Sequence, residues 1–287
     1  MSAAGAGVFQ SARNPRGAKT KHIAVYLALV LACLVTAGPI VLLFATSLKQ
    51  TYTRAIDFNS LIRPDFANYR AIWTELQFGQ WLMNSLIVAI SVTVLILFLD
   101  SLAGYVFARM RFRGRDPLFA VLLATLMVPL PVTLLPLFLF ANELRLINTF
   151  QALIYPALAY PMGVFMMRQF IQTIPDELDD AARIDGMSDF GIYVRVILPL
   201  CVPGLAVLGL YTFMSQWGSL LWPLIVSTSE RTRTIPPGLA TIPGQFATNW
   251  GLTAAATVSS LFPMLLVFVV FQRFLRQGFG GGRSTKG

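Results

Sequence analysis

The side chains whose types and spacing suit chemistry are crowded between Thr173 and Pro203. Six of the chain's thirteen acidic residues, Asp176, Glu177, Asp179, Asp180, Asp185 and Asp189, fall within fourteen positions there. The long apolar runs on either side carry almost no charge. The chemistry this implies is docking, because carboxylates held outside lipid need a polar surface to meet. Catalysis finds little to work with. The only histidine, His22, sits at the edge of the first apolar run, so the base that an intramembrane serine protease needs is missing. Cys33 and Cys201 fall in separate apolar runs, with neither paired nor metal-ligand spacing. The fragment Gly17-Ala18-Lys19-Thr20 lacks the upstream glycine and the strand-to-helix context of a phosphate-binding loop. Energy from a nucleotide would have to arrive through a partner.

The local pattern of the acidic segment predicts a short helix. Thr173 followed by Asp176 resembles a capping box, and Pro175 falls in a first turn, where its missing N–H costs little. Acids near that start suit the positive end of the helix dipole. Ile174, Leu178, Ala181 and Ala182 share one face at helical spacing, and Asp179 is spaced to pair with Arg183. Gly186, tolerant of a left-handed backbone, ends the helix. A second helical run then re-enters the apolar region at Pro199. An amphipathic connector lying on the membrane is the other reading of this pattern. Acids fit an anionic inner leaflet poorly, so a protein partner is preferred.

The elements that must position this segment are membrane spans. With 56% hydrophobic residues, 12% charged residues and a mean hydropathy of +0.67, the 287-residue chain is too apolar for a soluble domain. A span needs about 20 apolar residues to cross a hydrocarbon core ~30 Å thick. Six stretches qualify: 23–48, 81–107, 118–141, 151–171, 200–227 and 252–274. The first is too long for the core of a cleaved signal peptide and reads as an uncleaved anchor. Tails at 1–22 and 277–287 flank a six-span domain at 23–276, with the acidic segment at 173–199.

Orientation follows from the lysines and arginines. With the N-terminus inside, the cytoplasmic side receives fifteen of the 22, including Arg109, Arg111, Arg113 and Arg115, and the opposite side seven. The acidic segment and both termini then face the cytoplasm. The net charge of +9 could suggest nucleic acid, but the arginines sit at membrane edges and no aromatic-interleaved basic domain exists.

Pro129, Pro131 and Pro136 in the third span and Pro156 and Pro161 in the fourth interrupt helix hydrogen bonding. They are either packing kinks or the border of a wet path. Tyr155, Tyr160, Trp217 and Trp222, and the polar Asn84, could contact a solute; aromatics in such helices also serve as packing or interfacial groups. Asp100, near the inner end of the second span, is held by a helix partner, reached by water or used for protons. Arg168 could snorkel from the fourth.

The acidic segment resembles the EAA loop of bacterial ABC importer permeases. It reads Asp180-Ala181-Ala182, three residues, Gly186, nine residues, then Val196-Ile197-Leu198-Pro199, with Asp180 for the usual Glu and Val196 for the usual Ile. Fragments along the chain are similar to the second permease of maltose-type carbohydrate uptake systems. They include Asn68-Tyr69, Asn84-Ser85, Phe107-Ala108-Arg109, Met127-Val128-Pro129, Trp222-Pro223-Leu224, Pro237-Gly238-Leu239 and Phe271-Gln272-Arg273. Gly218 departs from the Asn that many relatives carry after the tryptophan.

The resemblance implies an all-α membrane protein with six transmembrane helices and a cytoplasmic coupling helix, the type I ABC importer permease fold. It carries ATPase coupling onto Asp180, Ala181, Ala182 and Gly186, with Glu177, Asp179, Arg183 and Asp185 around them. It implies no cofactor in this chain, with ATP and Mg bound by a partner ATPase dimer. A second permease subunit, membrane lipid and an extracytoplasmic solute-binding protein or lipoprotein complete the expected partners, in the inner membrane of a bacterium. The long stretches 49–80 and 228–249 are where the binding protein would touch. A sugar is the expected solute. The alternatives are a non-sugar solute such as glycerol phosphate, or an ion-gradient carrier, which would show paired intramembrane charges and internal repeats.

Overall fold

The computed structural model describes residues 15–49, 64–245 and 249–280, and all regular structure among them is helical. Parts of both expected tails, of the stretch 49–80 and of the loop 228–249 lie outside the described residues. Helix α1 spans Pro15–Ser47, so it starts within the stretch expected to be an N-terminal tail. A proline at the first helical position is preorganised for that start.

Helix α2 (Ala67–Thr74) is short, and its buried Asn68 donates to the carbonyls of Ser47 and Lys49, tying it to the end of α1. Helix α3 (Phe78–Arg109) is the central element. Among the described residues, three stretches are each long and apolar enough to cross a membrane: Val25–Ser47 of α1, α3, and Trp250–Gln272 of the last helix. Three further spans are bent pairs, which bring the count to six if each pair crosses once.

The first bent pair joins α4 (Arg115–Ala124) and a 3-10 turn (Thr125–Met127) to α5 (Leu130–Glu143) at 98°. Val128, which precedes Pro129, is extended, as the proline ring requires, and the helix cannot run through. The second joins α6 (Phe150–Ile154) and a 3-10 turn (Tyr155–Leu158) to α7 (Pro161–Ile171) at 44°, with Tyr160 non-helical before Pro161. After helix α8 (Glu177–Ile184), the third pair begins with α9 (Asp189–Ile192), a π-helical turn (Tyr193–Ile197) and α10 (Leu198–Leu200). It then bends by 78° into α11 (Val202–Trp217).

The fifth span therefore differs from the expected 200–227. It reaches back to Asp189, and α11 ends at Trp217, leaving α12 (Leu221–Val226) as a separate short helix. Helices α13 (Ile235–Gln245) and α14 (Trp250–Gly280) complete the chain.

α3 packs against α7 on one side and α11 on another. The crossing with α7 is close because Gly104 has no side chain: a Cβ there would lie 2.7 Å from Met167 Cβ and 2.9 Å from the Arg168 nitrogen. One core cluster gathers Val92, Ile96, Met167, Ile171, Ile192 and Leu208 around that crossing. A second, at the end of the bundle remote from α8, packs Phe78 and Trp81 against Trp217, Ile235 and Leu252. α1 stands outside both and meets α14.

Candidate functional site

α8 hangs beyond the end of α3, and one arginine attaches it there. Arg109, the last residue of α3, is 7% exposed at its side chain. It forms an ion pair with Asp176, sits 2.8 Å from Asp179 through Nε, and donates from Nη2 to the Ile174 carbonyl at 2.6 Å. The Asp179 side chain is 5% exposed, and its Oδ1 has no hydrogen-bond partner among the described residues. Burial pushes the Asp179 carboxyl above its ordinary value, while the Arg109 guanidinium pulls against that shift.

This arrangement corrects three expectations. Thr173 does not cap the helix, because its hydroxyl donates back to the Phe170 carbonyl, and α8 starts at Glu177 after a turn. Asp179 does not pair with Arg183, because it faces Arg109. Arg183 instead reaches Asp189 at 3.1 Å and Asp180 at 3.8 Å. The apolar face also divides. Ile174 and Ala182 are buried in the core, whereas Leu178 and Ala181 point outward beside Ile184, which is 87% exposed.

Gly186 ends α8 as expected. Its φ is +79°, its N–H bonds to the Arg183 carbonyl and the Met187 N–H to that of Ala182, closing the last turn. Ser188 then caps α9 by accepting from the Gly191 N–H at 3.2 Å. The outward surface thus joins Leu178, Ala181, Ile184 and the exposed Phe190 with the carboxylates of Glu177, Asp180 and Asp185. Ile184 and Phe190 were not singled out by sequence. Bulky apolar residues interleaved with acids between two apolar runs were the available signal. Behind α8 lies a cavity of about 800 Å³, lined by Arg109, Arg111, Arg115, Asp180 and Arg183.

A second cavity, about 430 Å³, opens where the first two bent spans break, beside the end of α11. Tyr160 and Trp222 line it with Ser85, Gln216, Ser219 and Thr234. The Trp222 indole also donates to the Ala152 carbonyl at 2.7 Å, which fixes its ring. The other sequence candidates do not line this cavity. Asn84 donates its amide to the carbonyls of Arg231 and Arg233, Trp217 stacks on Phe213 and donates to Ser260, and Tyr155 is exposed. Gln216 and Ser219 escaped notice because a lone amide or hydroxyl in an apolar run carries no motif.

Asp100 is buried against Gly163 of α7, and its Oδ2 has no hydrogen-bond partner among the described residues. Arg168 donates to the Phe107 carbonyl and lies 4.1 Å over the Phe119 ring, so it is held by α3 and α4 instead of reaching for the interface.

Among the described residues, a helical bundle of apolar, proline-broken spans, with one charged helix suspended from it and a cavity at two of the breaks, is the build of a multi-pass membrane protein. Residues 101–280 match the family described as binding-protein-dependent transport system inner membrane component. The chain is 38% identical over 212 residues to the arabinooligosaccharides transport system permease protein AraQ of Halalkalibacterium halodurans, covering 74% of this chain and 76% of the relative. To the AraQ of Bacillus subtilis it is 33% identical, over 90% of this chain and 93% of the relative. It is 34% identical to the diacetylchitobiose uptake system permease protein NgcG of Streptomyces coelicolor, over 72% and 70% respectively. Its fold is similar to a chain in the crystal structure of a bacterial ABC transporter involved in import of the acidic polysaccharide alginate, with a TM-score of 0.79 at 21% identity, over 90% of this chain and 97% of that one. The chain belongs to the family of binding-protein-dependent transport inner membrane components.

Proposed function

We propose that this chain is one permease subunit of an ATP-driven carbohydrate importer and that α8 is its docking helix for an ATPase. The observation that carries this reading is the division of α8 into two faces. Asp179 and Ala182 hold it to the bundle, while Leu178, Ala181, Ile184 and the carboxylates of Asp180 and Asp185 stay outside for a partner. ATP and Mg²⁺ belong to that partner. The excess of Lys and Arg at this end supports a cytoplasmic side for α8 and both termini. A second permease would cover exposed apolar faces of the bent third span, such as Val121, Leu135 and Leu139. A solute-binding protein would meet the opposite end, around 228–245.

A saccharide is favoured as solute because relatives are named for arabinooligosaccharide, diacetylchitobiose and lactose transport. The second cavity is in keeping with this: within a mostly apolar lining, its hydroxyls, one amide and two aromatic rings suit a polyol with apolar ring faces. No Lys or Arg is among its lining residues, which favours a neutral sugar over a phosphorylated solute.

The test is Asp180→Lys. Reversing this exposed charge should release the ATPase on co-purification and abolish ATP-driven uptake of labelled sugars, with membrane insertion intact. Unchanged association and uptake would overturn the docking role.

A further inference from the structure

α3 is fastened at both ends to segments that are remote from it in sequence. Of the three unbroken crossing helices, α1 and α14 contain Pro39 and Pro263, whereas α3 has no internal proline. Its 32 residues form a stiff element about 48 Å long at ~1.5 Å per residue.

At one end Arg109 grips the entry to the docking segment through Ile174, Asp176 and Asp179. Two turns earlier, the Ser101 hydroxyl shares a buried 2.7 Å hydrogen bond with the Tyr193 hydroxyl, at the exit from that segment. The Tyr193 ring also lies 5.4 Å from Tyr105. Both limbs of the α8 loop are therefore attached to α3.

At the far end the Trp81 indole donates to Glu230 at 2.9 Å, and Asn84 donates to the carbonyls of Arg231 and Arg233 at 3.1 and 2.8 Å. Ser85 accepts from the Ile235 N–H at 2.8 Å. These bonds fasten the stretch 230–235, which leads into α13.

We propose that α3 is the transmission rod of the permease. It carries displacement of the docking segment straight to the stretch 230–235 on the opposite membrane face, the surface open to a solute-binding protein. Arg109 and Asn84 are its positioning residues. The inference rests on the docking reading of α8 and adds the route by which its motion travels.

The routes along the chain itself are softer. On one side of α8 the path through α7 meets the 44° break, and on the other it meets the π-helical turn and then the 78° bend. Such interruptions absorb displacement. Buried side-chain bonds to backbone carbonyls oblige the gripped segment to follow the helix.

The experiment uses the assembled importer in liposomes and reads the stimulation of ATP hydrolysis by solute-loaded binding protein. Arg109→Gln and Asn84→Ala should each lower that stimulation about tenfold, in the range of coupling changes known for such networks. The double variant should fall no further than the lower single, because a rod cut twice is no more broken than a rod cut once. Full stimulation in either single variant, or losses that multiply in the double, would overturn the proposal. If Arg109→Gln does not assemble, Arg109→Lys repeats the cycle. It keeps the charge but cannot reach Asp176, Asp179 and the Ile174 carbonyl together. Failure of the docking reading appears separately, as an Asp180→Lys complex that still retains its ATPase.

Discussion

Asp179 and Asp180 are adjacent carboxylates with different tasks, and the ~100° between successive helical positions separates them. One faces Arg109 and is 5% exposed; the other is 72% exposed and free to meet a partner. Because burial raises the Asp179 pKa in the folded state, its ionised form costs stability. The folded chain binds this proton more tightly than the unfolded chain, so the contribution improves as pH falls from the raised value toward the ordinary 3.8. The thermal midpoint of the purified protein should therefore rise relative to that of Asp179→Asn across that window. A difference that stays flat with pH, or shrinks toward acid, would contradict the assignment. Gly186 offers a second check at this scale. With φ at +79°, Gly186→Val should destabilise the end of α8 by roughly 1–2 kcal/mol, read as a lower thermal midpoint and faster protease nicking there.

At the scale of elements, packing depends on one close approach. Gly104→Ala would place a Cβ within 2.7 Å of Met167 Cβ, so α3 and α7 must separate. The expected cost is about 1–3 kcal/mol, measured as reduced thermal stability in detergent. Gly38→Ala, inside α1, is the control, since nothing lies within 4 Å of its Cβ position, and it should leave the midpoint unchanged or slightly raised.

The same scale shows what could be read in the chain beforehand. Apolar length marked α3 and α14 well, because a hydrocarbon slab imposes a length directly. Hydropathy could not show that Pro129 turns the third span by 98° or that the fifth begins at Asp189. Those features depend on backbone direction, to which an apolar average is blind. Helix α8 was legible through its acids, its small residues and Gly186. Which carboxylate faces inward was not, because Arg109 arrives from a helix that ends 68 positions before α8 begins.

For the whole molecule, two cavities lie toward different ends of α3. The charged one sits behind α8, and the mostly apolar one sits where the first two bent spans break. Gln216 lines only the second, and its amide is suited to a sugar hydroxyl. Gln216→Ala should raise the solute concentration needed for half-maximal uptake about fivefold, in line with the loss of one hydrogen bond, while ATPase association stays intact. An unchanged concentration dependence in uptake assays would remove Gln216 from the path.

The most direct measurement is crosslinking from the most exposed large apolar residue of α8 in intact membranes. Ile184→Cys, on a background lacking Cys33 and Cys201, should join to the ATPase subunit when a short bifunctional thiol reagent enters from the cytoplasmic side. It should also become protected when that subunit is bound. If the cysteine at position 184 instead reacts with an impermeant reagent supplied from outside the cell, or stays equally reactive with and without the ATPase, α8 is not where ATP-driven work enters this permease.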